Sequence, residues 1–383
     1  MAHVLRAKTA AVGVGLSGLG EAPGRNAMEL LAEAVHNAVA DAGLTLADVD
    51  GVFAGTAVHS MPAMSASEYL GIRPKYSNGS NIGGSSFVAH CLGAAMALDA
   101  GLCNVAVVAY GSNQRTAGGR LVTMSEPMPY EAIYGPRYPV SAYALATARH
   151  MHEYGTTKAQ LAEVAVAARK WAALNPLAFA RDPLTIDEVV NARMISDPLG
   201  KLDCCLVTDG GAAIVMTRAD RAKDLPKKPV YLLGAAMAHW HRMISAMPDM
   251  TVSSATDSGP RAFEMAGVKP EDIDVLELYD AFTINTLLFL EDLGYCAKGE
   301  GGAFVEGGRI APGGELAVNT NGGGLSCVHP GMYGLFTLVE ATEQLMGEAG
   351  ERQIAGAKVG LAHGNGGTLS SQATVILGAE ETL

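Results

Sequence analysis

Histidines, tyrosines and six cysteines are the side chains best equipped for acid–base or nucleophilic chemistry. The glycine-rich stretches NIGGSSFVAH (81–90) and HGNGG (363–367) offer backbone that suits an anion. The cysteines, Cys91, Cys103, Cys204, Cys205, Cys296 and Cys327, are scattered along the chain. No pair has the C-x-x-C spacing of a zinc or redox site, and the neighbours Cys204 and Cys205 are poorly placed to bridge each other. Most therefore read as free thiols buried as small hydrophobes, and no metal site is expected. Ser85 and Ser86 need an adjacent base before either becomes a nucleophile. A phenol such as Tyr279 ionises near pH 10, so it acts as a base only beside a positive or hydrogen-bonding neighbour. Gly83, Gly84, Gly366 and Gly367 carry no Cβ, which leaves two readings. Either their N–H groups approach a substrate oxygen, or they allow tight helix–strand packing. A helix starting at Gly84 would add its dipole to an anion site.

The chain that must position these groups has 383 residues, 49% of them hydrophobic and 17% charged. That supports a large core and two or three units of domain size. A net charge of −12 argues against a nucleic-acid partner, which needs clustered Lys and Arg. No run of about 18 uncharged apolar residues is present, so no membrane span is expected. The start, MAHVLRAKTAAVGVG, reads as a first strand rather than a signal peptide. A reduced, cytoplasmic enzyme is the expectation.

An internal repeat organises the chain. DAGLTLADVDGVF (41–53) resembles MAGVKPEDIDVLE (265–277), with Ala42, Gly43, Asp48 and Asp50 meeting Ala266, Gly267, Asp272 and Asp274. In each copy a helical stretch ends at glycine, a short turn begins at aspartate and an apolar strand follows. FVAHCLGAAMALDAG and NVAVVAYGS then read as helix and strand. MYGLFTLVEATEQLMG and AKVGLAHGNGG repeat that order in the second half. Alternating strands and helices imply mainly parallel central sheets covered by helices, an α/β fold. The halves are placed at 1–228 and 229–383. The region 115–200 has no counterpart in the second half. It runs through SEPMPYEAIYGPRYPV into AQLAEVAVAARKWAAL and reads as an inserted cap whose Met and Tyr content suggests an apolar pocket.

Over nearly its full length the sequence resembles the thiolase superfamily. DGGAAIVM (209–216) is similar to the family's DGAAA strand. YDAF (279–282) falls where thiolases carry NEAF, or HDCF in the sterol-carrier-protein branch. NTNGGGLSCVHPGMYG (319–334) looks like the family's N-x-x-GG…GHP…G segment and puts His329 on the catalytic histidine. NIGGSSF lies where thiolases have N-x-x-C-x-SG, and HGNGG where they have C-x-GGG. Gap-free placement sets the nucleophilic cysteine at Gly84 and the second cysteine at Gly364, with His363 beside it. The NEAF asparagine becomes Tyr279. The resemblance implies two duplicated βαβαβαββ halves in a five-layer α-β-α-β-α arrangement with an inserted loop region.

With glycine at the nucleophile's place, the resemblance leaves the enolate half of thiolase chemistry. The same enolate forms when a β-hydroxyacyl-CoA undergoes retro-aldol cleavage. His329 would donate to the thioester oxygen, as an imidazolium or the right neutral tautomer. Tyr279 would take the β-hydroxyl proton or relay it; packing in the core is its other reading. The pattern is similar to steroid side-chain aldolases, which implies lipid or steroid metabolism without naming an acyl group. Those aldolases place a second tyrosine just before the histidine, where this chain has Cys327. Cys327 is either a buried hydrophobe or a chemical group. Asp280 reads as a loop anchor, Asn321 and Gly366 as pocket residues, and His363 as either loop or pocket. Two further readings stay open. One is an acetyl-CoA acetyltransferase-like enzyme with a nucleophile moved to Cys327 or a serine. The other is a non-catalytic CoA-thioester-binding subunit. Coenzyme A enters as part of the substrate and no covalent cofactor is expected. A homodimer and a partner containing an OB fold and zinc ribbon are implied by resemblance alone.

Overall fold

The four identities of the internal repeat do the same four jobs twice in the computed structural model, which describes residues 4–56, 59–117 and 130–383. A Cβ added to Gly13 would meet that of Ala42 at 2.8 Å, and one on Gly234 would meet that of Ala266 at 2.9 Å. Each alanine is thus the small residue that lets a helix end lie on a strand. Gly43 (φ +68°) and Gly267 (φ +69°) take the left-handed conformation that stops each helix. Asp48 accepts from the Thr45 amide at 2.9 Å, and Asp272 from the Lys269 amide at 2.8 Å. Asp50 then accepts from the Val105 amide at 2.9 Å, and Asp274 from the Val359 amide at 2.9 Å, each holding the first residue of a neighbouring strand.

The first half runs β1 (Thr9–Gly20), α1 (Ala27–Asp41), β2 (Gly51–Gly55), α2 (Pro62–Leu70), β3 (Tyr76–Asn78), α3 (Ser86–Asp99) and β4 (Val105–Ser112). The insertion follows, with α4 (Val140–Tyr154), α5 (Lys158–Ala173), α6 (Ile186–Val190) and a ribbon of β5 (Met194–Ser196) and β6 (Leu199–Gly200). Strand β7 (Asp209–Arg218) completes the half, and the turn α7 (Ala219–Ala222) leads out of it. The second half repeats the order as β8 (Val230–His239), α8 (Ala255–Ala266), β9 (Val275–Leu278), α9 (Thr283–Asp292), α10 (Gly301–Phe304), β10 (Ala317–Val318), α11 (Gly334–Met346), β11 (Val359–Gly366) and β12 (Ser371–Gly378).

The strand order is β3-β2-β4-β7-β1 in one half and β10-β9-β11-β12-β8 in the other. The halves join where β1 pairs with β8 through Ala10 and Ala11. In each half the two outer pairings are parallel and the two inner ones antiparallel. The sheets are therefore mixed rather than mainly parallel. In the second half β12 follows β11 after a four-residue turn, which forces the antiparallel sense there, and β7 takes the same place beside β4 after the insertion. Helices α3 and α11 touch strands of both halves and form the middle layer. Helix α1 covers the outer face of the first sheet and α8 that of the second, giving five layers. The insertion lays α4 and α5 against α9, over the second half. The proline-rich run that opens at 125 lies outside the described residues as far as 129. Among the described residues no helix is long and apolar enough to cross a membrane.

Candidate active site

Four segments meet where α3 and α11 begin. Strands β9 and β11 are parallel neighbours, with Leu278 opposite His363. Tyr279 continues that pairing, donating its amide to the His363 carbonyl at 3.0 Å, and its side chain leaves at the sheet's end. There it meets Gly84, at the entrance to α3. A Cβ on Gly84 would lie 2.1 Å from Tyr279 Cε2 and 2.5 Å from its hydroxyl oxygen. The phenol therefore occupies the volume that any side chain at 84 would need. Glycine at 84 and tyrosine at 279 are one exchange of volume, not two separate changes.

The Tyr279 hydroxyl accepts from the Tyr333 amide at 3.1 Å. Its ring stands edge-on to His329 at 5.6 Å and to Tyr333 at 5.6 Å. Burial pushes the phenol well above its usual value, and the nearby Cys205 and Tyr143 groups add to the rise. Tyr279 thus holds its proton in the free protein.

His329 is fixed through its backbone by Thr208 of the VTDGG stretch. The His329 amide donates to the Thr208 hydroxyl at 2.9 Å, and the Thr208 amide donates to the His329 carbonyl at 3.3 Å. Burial lowers the imidazole to about 4, so it is neutral near pH 7. Its Nε2 is buried without a hydrogen-bond partner among the described residues. A buried nitrogen left unpaired costs about 1–3 kcal/mol, which a ligand oxygen would recover. Of the two forms open to His329 as a donor, the neutral tautomer is the one this environment favours.

The other expected residues are engaged by hydrogen bonds or by close backbone packing. Asp280 is buried and holds the turn Gly323–Cys327, accepting from the Gly324 amide at 2.6 Å and the Leu325 amide at 3.3 Å. Burial raises its carboxyl to about 7, against the pull of those two amides. Asn321 accepts from the Gly323 amide at 2.7 Å and from the Tyr333 hydroxyl at 2.9 Å. Ser86 donates to the Gly83 carbonyl at 2.6 Å, and Ser85 bonds the Ile82 carbonyl and the Ser371 hydroxyl. Neither serine has a base beside it in these bonds. A Cβ on Gly366 would lie 1.9 Å from the Ile82 carbonyl oxygen, so backbone packs on backbone there. Gly364 is equally closed, by Ser85 and Val88. His363 bonds through both ring nitrogens, to Thr374 at 2.9 Å and Gln372 at 3.0 Å.

Cys327 receives the Asn175 amide at 3.6 Å. With Glu340 and Arg352 it borders a space of about 10 Å³, room for about one water. An open groove of about 430 Å³ lies between residues 16–21 and 176–179. Neither space is lined by Tyr279 or His329. The ring cluster differs from both spaces in bringing the unpaired His329 nitrogen within 5.6 Å of the Tyr279 ring, centroid to centroid. Burial pushes Cys91, Cys204 and Cys296 up to about 12 and Cys103 to about 11, and raises Cys205 and Cys327 as well. No thiol is poised as a thiolate, the form that attacks.

Sequence reading missed Thr208, Tyr333, Cys205 and Tyr143. The LDCC stretch lies along the site, with the Cys205 amide donating to the Ala281 carbonyl at 2.8 Å. Tyr143 comes from α4 of the insertion and stacks on Phe282 at 4.4 Å.

Burial also lowers His90 and His363 to about 4. These folded-state values lie below the unfolded value of about 6.5. With His329, these groups contribute stability that is complete above about pH 6.5 and lost as pH falls through 4. Each accounts for roughly 3 kcal/mol of that loss. The raised carboxyl of Asp280 shifts stability in the opposite sense over the same range, so the imidazoles are best followed one by one. Their NMR ring-proton shifts should stay at the neutral value at pH 6 and move only near 4. Titration at about 6.5 contradicts the burial of neutral imidazoles.

Comparison with known proteins gives the family and the fold. Residues 236–379 match the thiolase C-terminal domain-like family. An acetyl-CoA acetyltransferase of Methanothermobacter thermautotrophicus is 35% identical over 377 residues, covering 94% of this chain and 96% of that one. A steroid side-chain-cleaving aldolase of Thermomonospora curvata is 34% identical over 366 residues, covering 90% and 92%. The solved Ltp2–ChsH2(DUF35) aldolase superposes with a TM-score of 0.90 at 32% identity, over 100% of both chains. With its doubled βαβαβαββ plan and relatives matched along nearly their whole length, this chain belongs to the thiolase superfamily.

Proposed function

We propose that the protein cleaves the carbon–carbon bond next to a CoA thioester by a retro-aldol reaction, without a cysteine acyl-enzyme. The observation that carries this reading is the phenol of Tyr279 standing 2.1 Å from where a Cβ of residue 84 would be. A covalent nucleophile there and this tyrosine exclude each other.

The neutral His329 donates from Nε2 to the thioester oxygen, where negative charge develops as the Cα–Cβ bond breaks. Such a donor supplies about 3–4 kcal/mol in the transition state. Tyr279, protonated at rest, is a poor free base. It works as a relay: it takes the β-hydroxyl proton while giving its own to Cα. The bonding pair of Cα–Cβ passes to Cα and is captured there, the β-carbon leaves as a carbonyl compound, and Tyr279 ends as it began. The Tyr333 amide, donating to the phenol oxygen, supports it as its charge rises.

Two relatives carry names of steroid side-chain chemistry, so a bulky alicyclic β-hydroxyacyl-CoA is the first substrate to test. The aldolase with the closely similar fold is described together with ChsH2(DUF35), and a partner protein of the OB-fold and zinc-ribbon kind is proposed here too. A homodimer is proposed through the edge of β3, which is the outermost strand of the first half among the described residues. The acyltransferase reading has the acetyl-CoA acetyltransferase likeness in its favour. Against it stand the protonated thiols.

The test is product analysis with such a thioester. Wild-type protein, with its partner if required, should release the ketone and the shortened acyl-CoA, and Tyr279→Phe should lose this. Acetyl transfer between CoA thioesters that survives Tyr279→Phe, with no cleavage by wild type, would overturn the lyase reading.

A further inference from the structure

A one-way chain of hydrogen bonds runs through the buried ends of β11 and β12 and finishes on a tyrosine from the insertion. His363 and Asn365 lie on one face of β11, opposite Thr374 and Gln372 of β12. Thr374 Oγ1 is 2.9 Å from His363 Nδ1, and His363 Nε2 is 3.0 Å from Gln372 Oε1. Gln372 Nε2 donates to Asn365 Oδ1 at 2.9 Å, and Asn365 Nδ2 donates to the Tyr143 hydroxyl oxygen at 2.7 Å. An amide oxygen only accepts, so His363 carries its proton on Nε2 and takes the Thr374 proton on Nδ1. Every donor therefore points toward Tyr143.

The consequence falls on the Tyr143 proton. Its oxygen is filled from behind as an acceptor. Its own O–H reaches the Gly367 carbonyl at 3.2 Å, longer than the usual 2.7–2.8 Å or so for such a bond. That proton is held loosely while everything behind it is held firmly. Tyr143 stacks on Phe282, three residues past Tyr279. Its acceptor Gly367 belongs to the loop whose amide would lie 2.6 Å from a Cβ on Gly83, and Gly84 next door touches Tyr279. The two phenols thus stand along one glycine seam. On α9, Asn285 is fully buried, and neither side-chain atom has a bond within 3.5 Å among the described residues. Asn285 lies beside the Tyr143 hydroxyl and, with Asn365 and the Leu369 backbone, favours that group's ionisation. Two unpaired amide atoms beside a loosely held hydroxyl are costly unless a polar ligand joins them.

We propose that Tyr143 and Asn285 form a second polar grip on the substrate, which holds the β-oxygen of the thioester's acyl chain, and that His363 positions Tyr143 through Gln372 and Asn365. The proposal rests on the lyase reading. Tyr143 transfers no proton in it: it donates a hydrogen bond to the oxygen that Tyr279 deprotonates. It also gives the insertion a role in choosing oxygenated acyl chains over plain ones.

The test uses the Tyr279→Phe chain, which does not consume substrate, with calorimetric Kd values for a β-hydroxyacyl-CoA and its 3-deoxy counterpart. Adding Tyr143→Phe should weaken the hydroxylated ligand about tenfold, the value of one hydrogen bond, and leave the deoxy ligand unchanged. Asn285→Ser should act in the same direction, and stands in if Tyr143→Phe fails to fold. His363→Leu should lose the preference, and His363→Gln, which keeps an N–H toward Gln372, should recover it. Equal weakening of both ligands, or of neither, would overturn the grip. Should the lyase reading fail instead, wild type would cleave nothing while the binding preference persisted.

Discussion

Gly84→Ala should inactivate the protein and destabilise it by about 1–3 kcal/mol, the usual cost of overpacking a filled core. The new methyl would sit 2.1 Å from Tyr279 Cε2, and Gly84 is absent from the positive-φ glycines, so backbone strain does not enter. The ring must move, and a shift of about 1 Å in a reacting group costs about a hundredfold in rate. Tyr279→Ala should cost about 3–5 kcal/mol by itself through the cavity it leaves. In that background the alanine at 84 should cost almost nothing, giving a coupling of about 1–3 kcal/mol. Urea unfolding of the four chains measures it. Equal cost of Gly84→Ala in both backgrounds means the two positions do not share one volume.

His329→Ala should lower kcat by about 10²–10³ while the Kd of a bound acyl-CoA changes little, because the donor matters mainly once the oxygen carries charge. The imidazole is already neutral above its value of about 4. The acid limb of kcat/KM should therefore lie near that value and not near the ordinary 6.5 or so of free histidine. His329→Gln, which still offers an N–H, should recover part of the loss. A decrease below about fivefold for His329→Ala, or a limb at pH 6.5, would remove His329 from the oxyanion role.

The duplication was legible because each identity in the repeat has a local job: a helix stop at Gly43, a turn at Asp48, a strand anchor at Asp50. Local jobs leave local patterns. The sense of the inner strands was not legible, since periodicity marks β4 and β7 as strands but not their direction. His329 and Tyr279 stood inside recognisable segments. Tyr143 did not: it lies more than 130 residues before Tyr279 in sequence, within an α-helix whose spacing reads as ordinary amphipathic packing. His363 had two readings from sequence, and only its partners Thr374 and Gln372, one strand away, separate them. Cys327 looked available because it is two residues from the histidine. Its burial beside Glu340, which raises the thiol further, is a tertiary fact.

The intact mass of the protein, acid-quenched during steady turnover of an acyl-CoA, addresses the central claim most directly. If a phenol has displaced the nucleophile, every quenched sample should show the unmodified chain while product accumulates. An added acyl mass that forms at the rate of turnover and disappears in Cys327→Ala or Cys205→Ala would contradict it.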